Sequence, residues 1–358
     1  MSKNVVKPLS SVLMSGYIGQ GEKVEEFEEE LRKFIGNNYV VTVNSGTSAL
    51  HLALRLANVG HEDEVISTPM TCTATNWPIL ATGAKIVWAD IDSETGNIDP
   101  ESIRNLISKK TKAIMVVDWG GYPCDIDKIK KIAGRIPIIE DAAHAFGSVY
   151  KGRMVGQSAD FTCFSFQAIK HLTTGDGGAL AVRKKRDFKR GKLLRWYGID
   201  REKRSQENRI EIDIKEWGYK LHMNDINSTI GIENLKFIDG LLKKHRENAS
   251  YYKKRMNNLT HVKLLKENPN FLSSYWLFTI KVKNRPKFLR YMREKNIMVS
   301  MVHRRNDTHP VVSKFKRKLS GVDEFTDQMV CIPVGWWLSK GDRKYIIDSI
   351  WEYSKKYR

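Results

Sequence analysis

Two rhythms of apolar residues alternate along the chain. In VEEFEEELRKFI, residues 24–35, Phe27, Leu31 and Ile35 recur every fourth position, which sets them on one face of a helix. The run YVVTV at 39–43 is continuous and β-branched, and predicts a short buried strand. Gly46-Thr47 opens a second helix through SALHLALRLAN. A strand follows at 65–67, then the polar loop TPMTCTATN, a helical stretch around 77–82 ending near Gly83, and a strand at 85–89. A helix at 101–108 precedes the apolar strand 113–117, which Gly120-Gly121-Tyr122-Pro123 breaks. Helix 126–133 and strands 136–140, 161–166 and 179–182 complete the pattern. Strands of this kind alternating with helices predict an α/β fold around a mixed, mostly parallel sheet.

The character changes near Gly240. LLKKHRENASYYKKRMNNL, residues 241–259, reads as a long charged helix. Beyond it lie a strand at 275–282 and helices at 287–295 and 342–355, an α+β arrangement. The expected organisation is a large domain over 1–240 and a smaller C-terminal domain over 241–358. With 358 residues and 41% hydrophobic content, the chain is long enough for both cores. It carries no internal repeat and no low-complexity linker.

The formal charge of +19 suits an anionic partner: nucleic acid, a membrane surface or a phosphorylated substrate. Lysines scattered over solvated faces are the favoured account of it. The densest block, RKKRDFKRGK at 183–192, has a single aromatic, Phe188, and no nucleic-acid motif around it, and reads as a solvated helix face. Cys72, Cys124, Cys163 and Cys331 are scattered without CxxC spacing, which argues against a disulfide framework or a metal site and fits a reducing compartment. The N-terminus has no sustained apolar segment of the signal-peptide kind, and no run approaches the ~18 residues that span a bilayer. A cytoplasmic protein is expected.

Four short segments carry candidate chemistry. In Asn44-Ser45-Gly46-Thr47-Ser48 a strand ends, a glycine permits a tight turn and a helix begins. Free N–H groups at a helix N-terminus bind phosphate, and the Thr47 and Ser48 hydroxyls add donors. A plain helix cap uses the same residues. Without GK[ST], it is not a nucleotide-triphosphate loop. In IIEDAAH, 138–144, an acidic pair stands where an apolar strand runs out, the usual ligand position in α/β sheets. Asp141 could hold the protonated pyridine nitrogen of a cofactor, making the ring an electron sink, or could cap the next helix. In SFQAIKH, 165–171, followed by TTGDGG, Lys170 sits between an apolar strand and a glycine-rich turn. A Schiff-base lysine needs such a semi-buried, polar-lined place; a solvent-facing lysine at a strand end is the alternative. In GYKLHMNDI, 218–226, a turn leads into a helix with Asn224 or Asp225 as its cap.

Together and in this order, these segments resemble the DegT-like sugar-aminotransferase family of fold-type I enzymes that use pyridoxal 5′-phosphate (PLP). The resemblance runs from about Gly16 to the C-terminus. It includes an opening of the form GxxxxGxxVxxFExxL at 16–31 and the sequences SGTSAL, EDAAHAFG and SFQAIKHLTTGDGG. It implies that Lys170 binds PLP covalently and shuttles the proton, that Asp141 pairs with the pyridine nitrogen and that His144 reaches the phenolic oxygen. Gly46, Thr47 and Ser165 would bind the phosphate, with Gln167 also in the cofactor site. Lys220 would reach the phosphate of a neighbouring subunit, so a homodimer with shared active sites is implied. The implied reaction transfers an amino group from glutamate to a keto sugar. A nucleotide-linked 4-keto-6-deoxyhexose for surface-glycan biosynthesis is the expected acceptor.

The sequence departs from the family pattern in two places. Where relatives carry an aromatic residue that stacks on the cofactor ring, this chain has Cys72, so either Cys72 packs there or Trp77 takes the role. Where relatives have a Tyr-Pro segment and a sugar-contacting histidine, this chain reads VHRRNDTHP, 302–310. Arg304 and Arg305 could contact a substrate phosphate, with His309 near the sugar, or the segment is a solvated loop. Trp336-Trp337 reads as core or interface packing. Three alternatives accompany this reading: an acceptor that is a non-nucleotide phosphorylated ketone or keto-sugar acid, a PLP-dependent 3-dehydratase, and a nucleic-acid-binding regulator. Family dehydratases replace the Schiff-base lysine with histidine; here the position is Lys170, with His171 after it.

Overall fold

The computed structural model describes residues 1–201, 213–257, 259 and 261–357. Helices α1 (Val6–Ser15) and α2 (Glu22–Ile35) precede strand β1 (Val40–Val43). Then follow α3 (Gly46–Leu56), β2 (Glu64–Ser67), α4 (Thr73–Ala81), β3 (Lys85–Trp88), α5 (Pro100–Arg104), β4 (Thr111–Val117), α6 (Ile126–Ala133) and β5 (Ile138–Asp141). A small hairpin, β6 (Val149–Tyr150) and β7 (Arg153–Met154), leads to β8 (Phe161–Ser165) and β9 (Gly178–Val182). Helices α7 (Lys185–Leu194), α8 (Asp225–Leu235) and α9 (Ile238–Met256) come next. The remainder is β10 (Val262–Leu264), β11 (Phe271–Leu272), β12 (Phe278–Val282), α10 (Arg285–Glu294), α11 (Ser320–Gln328), β13 (Met329–Ile332) and α12 (Lys340–Lys356).

The large sheet has the order β1-β9-β8-β5-β4-β2-β3. Strand β9 runs antiparallel to both neighbours, and every other pair is parallel. The sheet is therefore mixed and mostly parallel, as the pattern predicts. Its strands are mostly apolar because both faces are covered. Val41, Met115 and Ile139 pack with α3 and α4 on one side, while Val40 packs with α2 and Ile114, Val116 and Ile138 with α6 on the other. The antiparallel sheet β10-β12-β13 has its own cluster with α9, α10 and α12. Gly240, where the sequence changes character, lies in the first turn of α9. No helix among the described residues is long and apolar enough to cross a membrane.

Some boundaries move for local reasons. Strand β5 starts at Ile138 rather than 136 because Pro137 has no N–H for the ladder. The strand expected from 275 starts at Phe278, since Tyr275 adopts φ 51° and cannot sit in a β ladder. Helix α4 begins four residues ahead of its expected start, in the polar loop itself. Helix α5 is capped by Asp99 and stops at Arg104, short of 108. Helix α9 ends at Met256, and residue 258 of the expected helix lies outside the described residues.

A buried ion pair ties α2 to the sheet and to α7. Glu28 accepts from the Thr42 backbone and hydroxyl, each at 2.9 Å, and pairs with the Arg195 guanidinium. Arg195 also donates to the Thr42 carbonyl at 2.8 Å. Truncating one partner strands the other's charge. Glu28→Ala is therefore expected to cost about 3–5 kcal/mol, read as a lower urea midpoint in chemical denaturation.

Candidate active site

The parallel strands of the large sheet end at one edge, and β9 starts from that same edge. The loops there enclose a cavity of about 370 Å³. Each strand delivers chemistry at its C-terminal end: Ser45-Gly46-Thr47 after β1, Thr71 and Cys72 after β2, Val117 on β4, Asp141 on β5 and Ser165 on β8. Lys170 comes from the loop joining β8 to β9, and Trp276 and His303 enter from the C-terminal part.

One corner is built for an anion. Ser45 caps α3, accepting from the Ser48 N–H at 3.0 Å, and the first intrahelical bond is Ala49 N–H to the Ser45 carbonyl. The Gly46 and Thr47 N–H groups stand ahead of that bond and face out of the helix end. A side chain at Gly46 would put a Cβ 2.8 Å from that of Ser165; only glycine lets this turn approach β8. Gly178 is under a similar demand, since a Cβ there would lie 2.6 Å from the Ser45 backbone.

The Lys170 loop is pinched at its base by Phe166 N–H to the Gly177 carbonyl, 2.8 Å, and Thr174 N–H to the Phe166 carbonyl, 2.9 Å. A turn from Gln167 to Lys170, closed at 2.9 Å, aims the lysine inward. Burial pulls its ammonium from the usual 10.5 down to about 8, although Asp141 and Cys72 nearby oppose the shift. The Nζ lies 3.9 Å from the centre of the Trp276 ring. Trp276 stacks on His144 at 3.9 Å and 18°, and its indole N–H donates to the Ile169 carbonyl at 3.0 Å.

Asp141 is buried, and burial raises its carboxyl, against the pull of hydrogen bonds from the Thr75 hydroxyl (2.6 Å) and the Ala143 N–H (3.1 Å). His144 is held neutral by burial and by the neighbouring Lys170 charge. Its Nδ1 is buried and meets no hydrogen-bond partner among the described residues. A buried carboxylate short of a cation, an unmatched imidazole nitrogen, a helix end facing an anion site and an amine shifted toward neutrality form a donor set that suits a phosphorylated pyridinium aldehyde.

Of the residues singled out from sequence, Gly46, Thr47, Cys72, Asp141, His144, Ser165, Gln167 and Lys170 all line this cavity. Cys72 caps the start of α4 there, whereas Trp77 lies outside the lining and meets His309 edge-on at 5.7 Å. Lys220, Arg304, Arg305 and His309 do not line it. Lys220 is exposed, its backbone bridged to Trp196. Arg304 turns back on Thr308, donating to its hydroxyl at 2.8 Å. Arg305 forks onto Asp307 with two bonds of 2.7 Å and pairs with Asp323, so its donors are committed within the fold. Thr71, Thr75, Trp276 and His303 are additions that sequence reasoning missed. Trp276 was hidden inside an apparent strand, and His303 stood next to the more conspicuous arginines.

The sequence profile of the DegT/DnrJ/EryC1/StrS aminotransferase family matches residues 1–351. The UDP-4-amino-4,6-dideoxy-N-acetyl-beta-L-altrosamine transaminase of Campylobacter jejuni subsp. jejuni serotype O:23/36 (strain 81-176) is 32% identical over 369 residues, covering 99% of this chain and 95% of its own. Among solved structures, AtS13 from Actinomadura melliaura superposes with a TM-score of 0.94 at 43% identity, covering 98% of this chain and 95% of its own. Sugar aminotransferase CalS13 from Micromonospora echinospora gives 0.95 at 40% identity, with 98% and 97% covered. The chain therefore belongs to the DegT/DnrJ/EryC1/StrS aminotransferase family and is a PLP-dependent sugar aminotransferase of fold type I.

Proposed function

We propose that this enzyme moves the amino group of glutamate onto a nucleotide-linked 4-keto-6-deoxyhexose destined for surface glycans. The observation that carries the reading is Lys170, poised near neutrality between Asp141 and an aromatic wall in a cavity of about 370 Å³. The Campylobacter relative is by name a transaminase of a UDP-linked 4-amino-4,6-dideoxy sugar, which supports a 4-keto acceptor here.

PLP bound in this cavity would supply an electron-withdrawing ring and, beside it, an aldehyde carbon able to carry the amino group between the two substrates. In the proposed arrangement Lys170 would hold the cofactor and serve as the base that moves the proton. Asp141 keeps the ring nitrogen protonated, and His144 donates to the phenolic oxygen. The α3 end and Ser165 hold the phosphate, with Gln167 beside them and Cys72 against the ring. Among the described residues that line the cavity, Lys170 is the single Lys or Arg. A phosphate there would gain from a cation of another subunit, and exposed Lys220 is the proposed donor in a homodimer. Cytoplasmic residence is part of the same proposal, and the four free cysteines are in keeping with it.

The test is amine transfer from glutamate to a panel of UDP- and dTDP-linked 4-keto-6-deoxyhexoses, simple keto phosphates and keto-sugar acids, with product mass recorded. The expected product gains an amine on a nucleotide-linked sugar. Turnover of a keto phosphate alone would reject the acceptor, and loss of a hydroxyl without an amine would mark a dehydratase.

A further inference from the structure

Part of the chain's positive charge gathers in one place apart from the catalytic cavity. Along α9 the buried residues Leu242, His245, Ala249, Tyr252 and Met256 recur every three or four positions and face the core. The same spacing on the other side of the helix brings Lys243, Arg246, Tyr251, Lys254 and Arg255 into the lining of a groove. Arg343, in the first turn of α12, joins them. The groove encloses about 580 Å³, within the range of small-ligand sites, ~300–1,000 Å³.

These five cations lack counter-charges. Among the described residues none of them forms an ion pair, Glu247, the single carboxylate in the lining, included. The side chains are nevertheless held together. The Arg255 and Arg343 guanidiniums lie 3.7 and 5.0 Å from the centre of the Tyr251 ring, so attraction to one ring gathers two like charges. Arg343 also stands near a helix N-terminus, where the helix dipole disfavours a cation. It donates to Asn248 at 3.1 Å, and its Nε is unmatched among the described residues. Like charges kept together without a counter-charge repel, and an anion among them turns that repulsion into attraction.

Arg246 links the groove to the chemistry. Its Nε donates to the Ser273 carbonyl at 3.1 Å and its Nη2 to the Gly147 carbonyl at 2.6 Å. Gly147 lies three residues after His144, and Ser273 three before Trp276. The rings of His144 and Trp276 stack in the cavity wall. One guanidinium thus ties together the two segments that place them.

We propose that this groove is a second binding site, taking a nucleoside diphosphate, free or sugar-linked, and that Arg246 carries its occupancy to the catalytic cavity. The cationic stretch from 243 to 255 spans about 18 Å of helix, more than one phosphate covers. Guanidiniums fork onto phosphate oxygens. Glu247 offers an acceptor to hydroxyl or amide hydrogens and repels a continuous phosphate backbone. That lining favours a small ligand with an anionic and a neutral polar part over a nucleic acid. The site is independent of the acceptor proposed above.

The probes for calorimetry on the PLP-loaded enzyme are UDP and dTDP, with inorganic pyrophosphate and a short oligothymidylate for comparison. A nucleoside diphosphate is expected to bind more tightly than either comparison probe. UDP and dTDP also suit the acceptor position, so groove variants decide where they bind. Arg343→Gln and Lys254→Gln should each weaken the nucleotide about tenfold, the loss of one charge-assisted hydrogen bond. Either variant carries the test should the other not fold. Saturating UDP should change the rate at which glutamate bleaches the wild-type cofactor by about twofold or more. Both variants should need about tenfold more UDP for the same change, and should bleach at the wild-type rate without it. Unchanged nucleotide affinity in both variants would overturn the site. Tighter binding of oligothymidylate would make the groove a nucleic-acid surface, and equal binding of pyrophosphate a bare anion site; either overturns the ligand assigned. Bleaching that ignores UDP while the groove binds it would overturn the coupling through Arg246.

Discussion

A Lys170→Ala protein mixed with PLP is expected to lack the visible band that the native protein develops, and to transfer amine about 10⁴-fold more slowly. In the proposed role two contributions would be lost at once: the covalent hold on the cofactor and the base that moves the proton, itself worth about 10²–10⁴-fold in typical enzymes. A normal band in the variant would remove Lys170 from the proposed role. The same residue makes a second, opposite forecast about stability. Its pKa falls from 10.5 when unfolded to about 8 when folded, so between those values the unfolded chain binds more protons and stability rises with pH. Below pH 8 the full cost of burying the ammonium is present, about 3 kcal/mol. Lys170→Met should therefore raise the melting temperature of the cofactor-free protein at pH 7, and the gain should shrink above pH 8. An inactive variant more stable than the active protein is the expected mark of a site that keeps a strained group for its chemistry.

Asp141→Asn should give the complementary pattern: a cofactor that still binds but turns over about 10³-fold more slowly. Removing a single preorganised electrostatic partner costs about 10²–10³-fold in other enzymes, and in the proposed arrangement Asp141 would govern the charge of the ring itself. Asparagine retains the shape and can still accept from the Thr75 hydroxyl, so the pocket should persist. What it cannot do is keep a pyridine nitrogen protonated. Single-turnover bleaching by glutamate separates the two effects. A retained band with slow bleaching is expected, whereas full-speed bleaching would exclude the proposed charge pairing.

Much of this site was legible in the sequence because its parts are local. SGTSAL, EDAAH and SFQAIKH each place a side chain by strand ending and turn chemistry alone, and strands deliver those endings to one edge. The C-terminal contribution was harder to read. Trp276 lies in what looks like a strand, and only the left-handed Tyr275 shows that the ladder has not begun. Arg304 and Arg305 drew attention as charges, but charge does not report whether a guanidinium is already matched. Arg305 is matched by Asp323, eighteen residues on, a pairing that no periodicity encodes. Asn306 is likewise ordinary in sequence and acquires meaning only through Pro69, Thr71 and Asn76, more than 200 positions away. The short strand β13 was missed because four apolar residues, even with Pro333 and Gly335 after them, do not distinguish a strand from a core loop.

The reversed direction of β9 has a consequence for the far side of the molecule. Because the β8–β9 connection turns back at the cavity edge, the loop bearing Lys170 joins the other working loops instead of crossing the sheet. The opposite edge then receives only connections such as 57–63, 82–84 and 134–137. At Gly134 the surroundings are open, with nothing within 4 Å of where a side chain would begin. None of these connections lines the cavity, so that margin is expected to tolerate being lengthened, tagged or tethered to a neighbouring enzyme while the catalytic margin is left as it is.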